Sequence, residues 1–299
     1  MEYFLLNLLN ALQLSMLYFL LAVGLTLIFG LMDTLNFAHG GFYTLGAYFG
    51  WRIATWTGSY WAALALAPLC VGILGYFFQR YVLHPLSIRG RETHLDFALL
   101  TFGLLFVIMG LMEVIFGSAY LSIKQPELLN GSVALLGANY PIYRLFIIGV
   151  GFAVALLLWL ILERTVWGAV VRAGVDNRDM VLGMGINITL VFAIVFAVGT
   201  ALAALAGVVA APVLSIFSHM GTSILVVTFI IVVVGGLGNF RSSIYASLLI
   251  GFVDTMGQAY KPMIAGIKID LEFFGIYLLL AVVMIFRPSG LFGAKGQSV

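Results

Sequence analysis

Long apolar runs broken by short polar stretches dominate the chain, and the runs have the length of membrane-crossing helices. A spanning helix needs roughly 20 apolar residues, within about 17–25. On that measure the chain predicts helices near 5–31, 36–51, 60–79, 96–117, 142–162, 188–211, 223–238, 243–258 and 272–286. The runs at 36–51, 223–238, 243–258 and 272–286 are short, which suits tilted, broken or re-entrant helices. The expected fold is an all-α polytopic bundle of eight or nine spans, with residues 1–299 forming one membrane domain.

Composition strengthens this reading. Of 299 residues, 63% are hydrophobic and 9% charged, against about 45–50% and about 25% in soluble domains. A water-soluble globule of this size has too little interior to hide so much apolar surface. The net charge of +2 offers no basic groove for nucleic acid. Cys70 stands alone in an apolar run, so neither an internal disulfide nor a cysteine-based zinc site is expected. The first apolar run is too long for the core of a cleavable signal, and no basic residue precedes it.

Charge placement sets an expected direction. On an alternating path, Arg80, Arg89, Arg91, Arg164, Arg172, Arg178, Arg241, Arg287 and Lys295 share one side. Arg52, Lys124, Arg144, Lys261 and Lys268 fall on the other. The excess of basic residues belongs to the cytoplasmic side, which places the N-terminus outside and the C-terminus inside. The longest outer loop, 118–141, reads as a connector capping the outer mouth.

Two stretches look alike. Gly30-Leu-Met-Asp-Thr-Leu-Asn36-Phe37 precedes a small-residue helix with Gly46 and Gly50, and Gly235-Gly236-Leu-Gly238-Asn239-Phe240 precedes one with Ser243, Ser247 and Gly251. Their equal orientation fits a parallel internal repeat; chance likeness is the other reading. Gly46/Gly50, Ser247/Gly251 and Ala203/Gly207 are spaced for close helix contact.

The polar stretch 163–187 is the most informative. Its short helical pattern around Met180 and Met184, with Asp176 or Asn177 as a helix cap, suits a cytoplasmic segment that docks into a groove on a partner. A solvated hairpin that only joins two spans is the alternative. Within the spans, Glu113 and Asp254 are scarce carboxylates, each a functional candidate. For both, pairing with Arg144 or Lys261 is one reading; for Asp254, a place near the interface reaching headgroups is the favoured one. Asn36 and His39, expected at the inner end of the first hairpin, are candidates for an inner gate, together with Asn239. Capping of backbone groups at the reversal is the other role open to His39. His84, His94 and His219 have no metal-ligand spacing, and neither H-E-x-x-H nor G-x-S-x-G occurs.

The motifs together resemble the branched-chain amino-acid (LIV-type) ABC transporter permease family. Gly24-Leu-Thr-Leu-Ile-Phe-Gly30, Leu35-Asn36-Phe37-Ala38-His39-Gly40 and Tyr43-x-x-Gly46-Ala-Tyr48 carry the likeness at the start. Arg172-Ala173, the run Asp176-Asn177-Arg178-Asp179, Met180 and Gly185-Ile186-Asn187 carry it in the polar stretch. Gly235-Gly236-Leu237-Gly238 and Arg287-Pro288-x-Gly290-Leu291-Phe292-Gly293 complete it. Gly41 and Val181 depart from the family pattern, which has an acidic residue and alanine there.

The resemblance implies a non-enzymatic transport subunit for branched-chain or other hydrophobic amino acids, in a bacterial or archaeal cytoplasmic membrane. Its implied partners are a second, related permease, two cytoplasmic ATPases and an extracytoplasmic binding protein. Arg172, Ala173, Asp176, Asn177, Arg178, Asp179, Met180 and Gly185 would form the coupling segment. ATP and Mg would sit on the partners, with no cofactor or metal on this chain. That agrees with the absence of a P-loop: G-x-x-x-x-G-K-[ST] requires a Gly-Lys step, and none occurs. A secondary transporter driven by an ion gradient is the alternative.

Overall fold

The computed structural model describes residues 2–88, 94–135, 138–260, 263–264, 267–268 and 271–291. Arg89, Arg91, Lys261, Phe292, Gly293 and Lys295 lie outside the described residues. The helices are α1 (Glu2–Met32), α2 (Ala38–Thr57), α3 (Tyr60–Phe78), α4 (His84–Ile88), α5 (His94–Phe116) and α6 (Ile142–Arg164), then α7 (Val166–Asp176), α8 (Arg178–Gly183), α9 (Ile188–Ala210), α10 (Met220–Gly235), α11 (Phe240–Ala259) and α12 (Leu271–Phe286). Two small antiparallel hairpins, β1 (Ser132–Leu135) with β2 (Ala138–Pro141) and β3 (Met263–Ile264) with β4 (Ile267–Lys268), sit in connections between helices. Five of the expected spans are helices long and apolar enough to cross a membrane, and α10 with α11 forms a further candidate bent by 119°. The short runs at 36–51 and 272–286 fall on α2 and α12.

Directions follow from the contacts. The end of the bundle holding α7 and α8 is termed lower and the opposite end upper. α1 runs downward and α9 upward beside it: Leu31 clusters with Val191 and Val195 below, while Gly24 meets Gly199 higher up. α1 is apolar all round because it is enclosed all round. Within its most apolar window 78% of residues are buried, against 28% for α3, α5 and α6, whose outer faces are left for lipid.

Small residues bring the central helices together. A methyl group added at Gly24 would lie 2.5 Å from the carbonyl oxygen of Gly199. One at Gly46 would overlap the backbone of Ala204, one at Gly207 the backbone of Tyr43, and one at Gly75 the side chain of Thr200. α9 therefore touches α1, α2 and α3 almost backbone to backbone, the contact that glycine and alanine permit in lipid. At the upper end Tyr60 donates to Tyr143 (2.8 Å), which donates to the carbonyl of Val209 (2.9 Å), tying α3, α6 and α9.

α3 does not stop at Phe78. A π-helical turn, Gln79–Leu83, joins it to α4, with the amide of His84 bonded five residues back to Gln79. The ring of Pro85 clashes with an ordinary helical carbonyl one turn earlier, and a widened turn relieves that clash.

The segment 33–37 does not lie at the lower end. His39 Nε2 donates to the carbonyl of Leu21 at 2.9 Å, halfway up α1. From Leu21 down to Met32 is about 16 Å at the helical rise, a distance within the roughly 23 Å reach of the seven residues from Met32 to His39. The chain therefore re-ascends beside α1 before α2 begins, with Asp33 at φ 50° making the reversal. Non-helical backbone at that depth needs protein partners. Thr101 of α5 provides one, accepting from the amide of Phe37 at 3.1 Å, while its own hydroxyl hydrogen has the carbonyls of Phe97 and Ala98 at 3.0 Å and that of Leu35 at 3.4 Å.

Two glycines separate packing from propensity. Gly46→Val forces α2 away from α9 and is expected to cost about 1–3 kcal/mol by overpacking. A Cβ at Gly103 meets nothing within 4 Å, so Gly103→Ala should be neutral or gain up to about 1 kcal/mol of helix propensity. Thermal unfolding of the two purified variants in detergent checks the contrast.

Candidate functional site

The lower segment is built from capped short helices. Thr165 Oγ1 accepts from the amide of Gly168 at 3.2 Å and starts α7. Asn177 Oδ1 accepts from the amide of Met180 at 3.0 Å and starts α8, so of the two expected caps Asn177 is the one that acts. Gly185, at φ 80°, ends it. The amide of Ile186 bonds to Val181 and that of Gly185 to Leu182, the paired bonds of a Schellman motif. Asn187 then caps α9 through the amide of Leu190 at 3.2 Å.

These helices are fixed to the bundle. Val170 and Val171 of α7 pack on the cluster of Leu31, Val191 and Val195, and Gly174 lies under Leu31 and Ile188. Arg172, an expected coupling residue, donates from its guanidinium to the carbonyl of Leu162. That carbonyl belongs to the last turn of α6, where no helical amide remains to bond it. Val181 anchors α8 inward, while Met180 and Met184 are 69% and 73% exposed. Ala173 is exposed on α7. Asp176 ends α7, and Arg178 and Asp179 open α8; their side chains lie outside the described residues.

Above this segment a cleft of about 450 Å³ is lined by residues of α1, α6, α7 and the α10–α11 turn, among them Glu163, Arg172, Asn239 and Arg241. Arg241 and Glu163 form an ion pair at 2.9 Å. Asn239 caps α11, accepting from the amide of Arg241 at 3.1 Å. The cleft thus gathers one of the expected gate residues, Asn239, with one of the expected coupling residues, Arg172. Gly30 and Gly238, from the two similar sequence stretches, meet at its wall.

The other expected gate residues lie elsewhere. Asn36 is 2% exposed, and neither its amide nitrogen nor its oxygen has a partner among the described residues. His39 is fully enclosed and bonded to α1. Glu113 is far from them on the upper part of α5, half-exposed, with His219 at 4.0 Å. Arg144 pairs with neither carboxylate; it donates to Asn10 at 2.6 Å and ties α6 to α1.

Asp254 departs most from its expected place. It is 3% exposed and turned into the bundle, where it accepts from the Tyr18 hydroxyl at 2.5 Å and from Gln258 Nε2 at 3.1 Å. The reason is helical spacing. Ser247, Gly251 and Asp254 share one face of α11, and Gly251 is pressed against Ser15 of α1, so the same close contact that seats the small residues carries Asp254 inside. Asp254 and Tyr18 line an upper cavity of about 330 Å³ with Tyr43, Ser215, Ser223 and a mostly apolar remainder. Sequence reasoning missed Tyr18 and Thr101, because a single hydroxyl in an apolar run carries no periodic signal.

Comparison with known proteins places this arrangement. The profile of the family described as "Branched-chain amino acid transport system / permease component" matches residues 7–286. The chain is similar to the high-affinity branched-chain amino acid transport system permease protein BraD of Pseudomonas aeruginosa, 27% identical over 97% of this chain and 96% of that protein. It is also similar to the permease protein LivH of Salmonella typhimurium, 25% identical over 97% and 96%, and to the LivH of Escherichia coli, 25% identical over the same shares. Among solved structures, PsaBC from Streptococcus pneumoniae in complex with Fab matches with a TM-score of 0.47 and 14% identity, covering 93% of this chain and 89% of that one. With the family profile running through all the elements that build the two cavities and the lower segment, the chain belongs to the permease components of branched-chain amino acid transport systems, which are membrane transport subunits and not enzymes.

Proposed function

We propose that the chain is the membrane-spanning subunit of an ATP-driven ABC importer for branched-chain or other hydrophobic amino acids. In this reading the lower end is cytoplasmic, the N-terminus outside and the C-terminus inside a bacterial or archaeal cytoplasmic membrane. A second, related permease, two cytoplasmic ATPases holding ATP and Mg, and an extracytoplasmic binding protein complete the machine. The bent α10–α11 pair counts as two half-spans of the eight or nine, and the contact of Gly30 with Gly238 sits where the proposed repeat would bring its two turns together.

One observation carries the reading. The α7–α8 segment presents apolar side chains outward while every inward tie is to a long helix. Met180 and Met184 stand one turn apart on the same side, a surface suited to a groove on another protein. The bonds from Arg172 to α6, the packing of Gly174 on α1 and the shared turn with α9 make the segment a rigid extension of three spans. Movement of a docked ATPase would therefore tilt α1, α6 and α9 together, and differential affinity of ATP for two states of the complex would drive it.

The alternative, an ion-driven secondary transporter, draws on the buried carboxylate of Asp254. Uptake by the purified chain alone, under an ion gradient and without ATP, would support it over the importer.

Three variants test the importer. Met180→Glu with Met184→Glu alters only exposed positions, so stability should change by less than about 0.5 kcal/mol. ATP-dependent leucine uptake in proteoliposomes holding all subunits should fall by about tenfold or more, a coupling loss of at least about 1.4 kcal/mol; wild-type uptake would remove the docking surface. Asn177→Ala should cost about 1 kcal/mol of local stability, seen as faster hydrogen exchange confined to the α8 amides. Arg172→Glu should uncouple ATP hydrolysis from uptake while the chain still inserts, because it frees α7 from the end of α6. Uptake at the wild-type rate would show that this tie transmits nothing.

A further inference from the structure

We propose that the upper cavity holds the ammonium group of the transported amino acid, with Asp254 as its anionic partner and the apolar wall receiving the side chain. This rests on the importer reading and names the place where that reading's solute is recognised within the membrane domain.

The first argument is chemical. A carboxylate removed from water is costly unless it is paired and hydrogen-bonded. Asp254 has hydrogen bonds on both oxygens, from Tyr18 and Gln258. Among the described residues neither ion pair includes it, so its electrostatic partner is not provided by the described part of the fold. Each carboxylate oxygen accepting one bond retains capacity for another. An ammonium, with three donors and a positive charge, meets both needs.

The second argument is the shape of the cavity. Its volume of about 330 Å³ falls within the range of roughly 300–1,000 Å³ typical of small-molecule sites. Asp254, Tyr18, Tyr43, Ser215 and Ser223 line it together with Phe217, Met220, Ile224 and Ile276. A few hydroxyls and one carboxylate against an aliphatic and aromatic wall match an amphipathic solute: a charged head and a branched hydrocarbon tail. An inorganic cation would use the carboxylate and leave the wall without purpose.

The third is position. The cavity lies beside the middle of α1, at Tyr18, with the start of α10 and the last turns of α11 around it. It is inside the membrane domain, about 21 Å above the lower end of α1 at the helical rise, clear of the docking segment.

Asp254→Asn, Asp254→Glu and wild type are compared in two ways. In the complete transporter in proteoliposomes, with ATPase co-purification confirming assembly, Asp254→Asn should reduce leucine uptake at least tenfold and Asp254→Glu should restore part of it. Uptake by Asp254→Asn at the wild-type rate overturns the assignment. In detergent, the melting temperature of the full wild-type chain is followed with leucine, isoamylamine and 4-methylpentanoate. The two amines should raise it and the acid without an amine should not; equal shifts from amine and acid, or none, overturn the assignment even where Asp254→Asn fails to fold. A wild-type transporter that takes up no hydrophobic amino acid, while the chain still prefers amine over acid, would sink the importer reading and leave the ammonium site standing.

Discussion

Backbone meets backbone where α9 crosses α1 and α2, and the rest of the bundle is arranged around that contact. At Gly24–Gly199 and Gly46–Ala204 no room exists for a larger side chain. In lipid there is no hydrophobic gain from helix association itself, so the fold relies on dispersion between closely fitted surfaces and on buried hydrogen bonds. Once α1 and α9 are pressed together, α2 has to fit above the crossing, and the chain has to climb to reach it. The re-entrant segment 33–37, the dependence on Thr101 and the burial of His39 all follow from that crowding.

A second seam runs between α1 and α11, and it joins the two ends of the molecule. From bottom to top along α1 it consists of Gly30 against Gly238, Thr26 bonded to Ser243 at 2.7 Å, Tyr18 bonded to Asp254, and Ser15 against Gly251. The lower cleft opens beside the Gly30 pair and the upper cavity beside the Tyr18–Asp254 pair. Packed interiors shift between discrete arrangements and do not deform continuously. In the proposed importer, a tilt of α1 applied through α7 would therefore reach the Tyr18–Asp254 pair as a rigid movement along this seam.

Polar groups are sparse here, and most have a structural task before any functional one. Thr165, Asn177, Asn187 and Asn239 each cap a helix. Arg172 closes the end of α6, Arg144 ties α6 to α1, and Arg241 pairs with Glu163. The exposed Met180 and Met184 and the carboxylate of Asp254 are the groups to which the two proposals assign a partner outside this chain.

The apolar runs alone determined that this is a bundle of membrane-length helices, because the length of a run and its lack of charge are local properties. The capping of the polar segment was legible too, since Asn177 and Gly185 act on residues three or four positions away. Tertiary structure decided what depends on neighbours distant in the chain. It put His39 at the level of Leu21 and not at the lower end. It turned Asp254 toward Tyr18, 236 positions away, and brought the Arg172 guanidinium to the carbonyl of Leu162. A side chain's depth and partner are set by which helices pack together, and in lipid that choice is made by the fit of small residues across helices, which no single run of sequence contains.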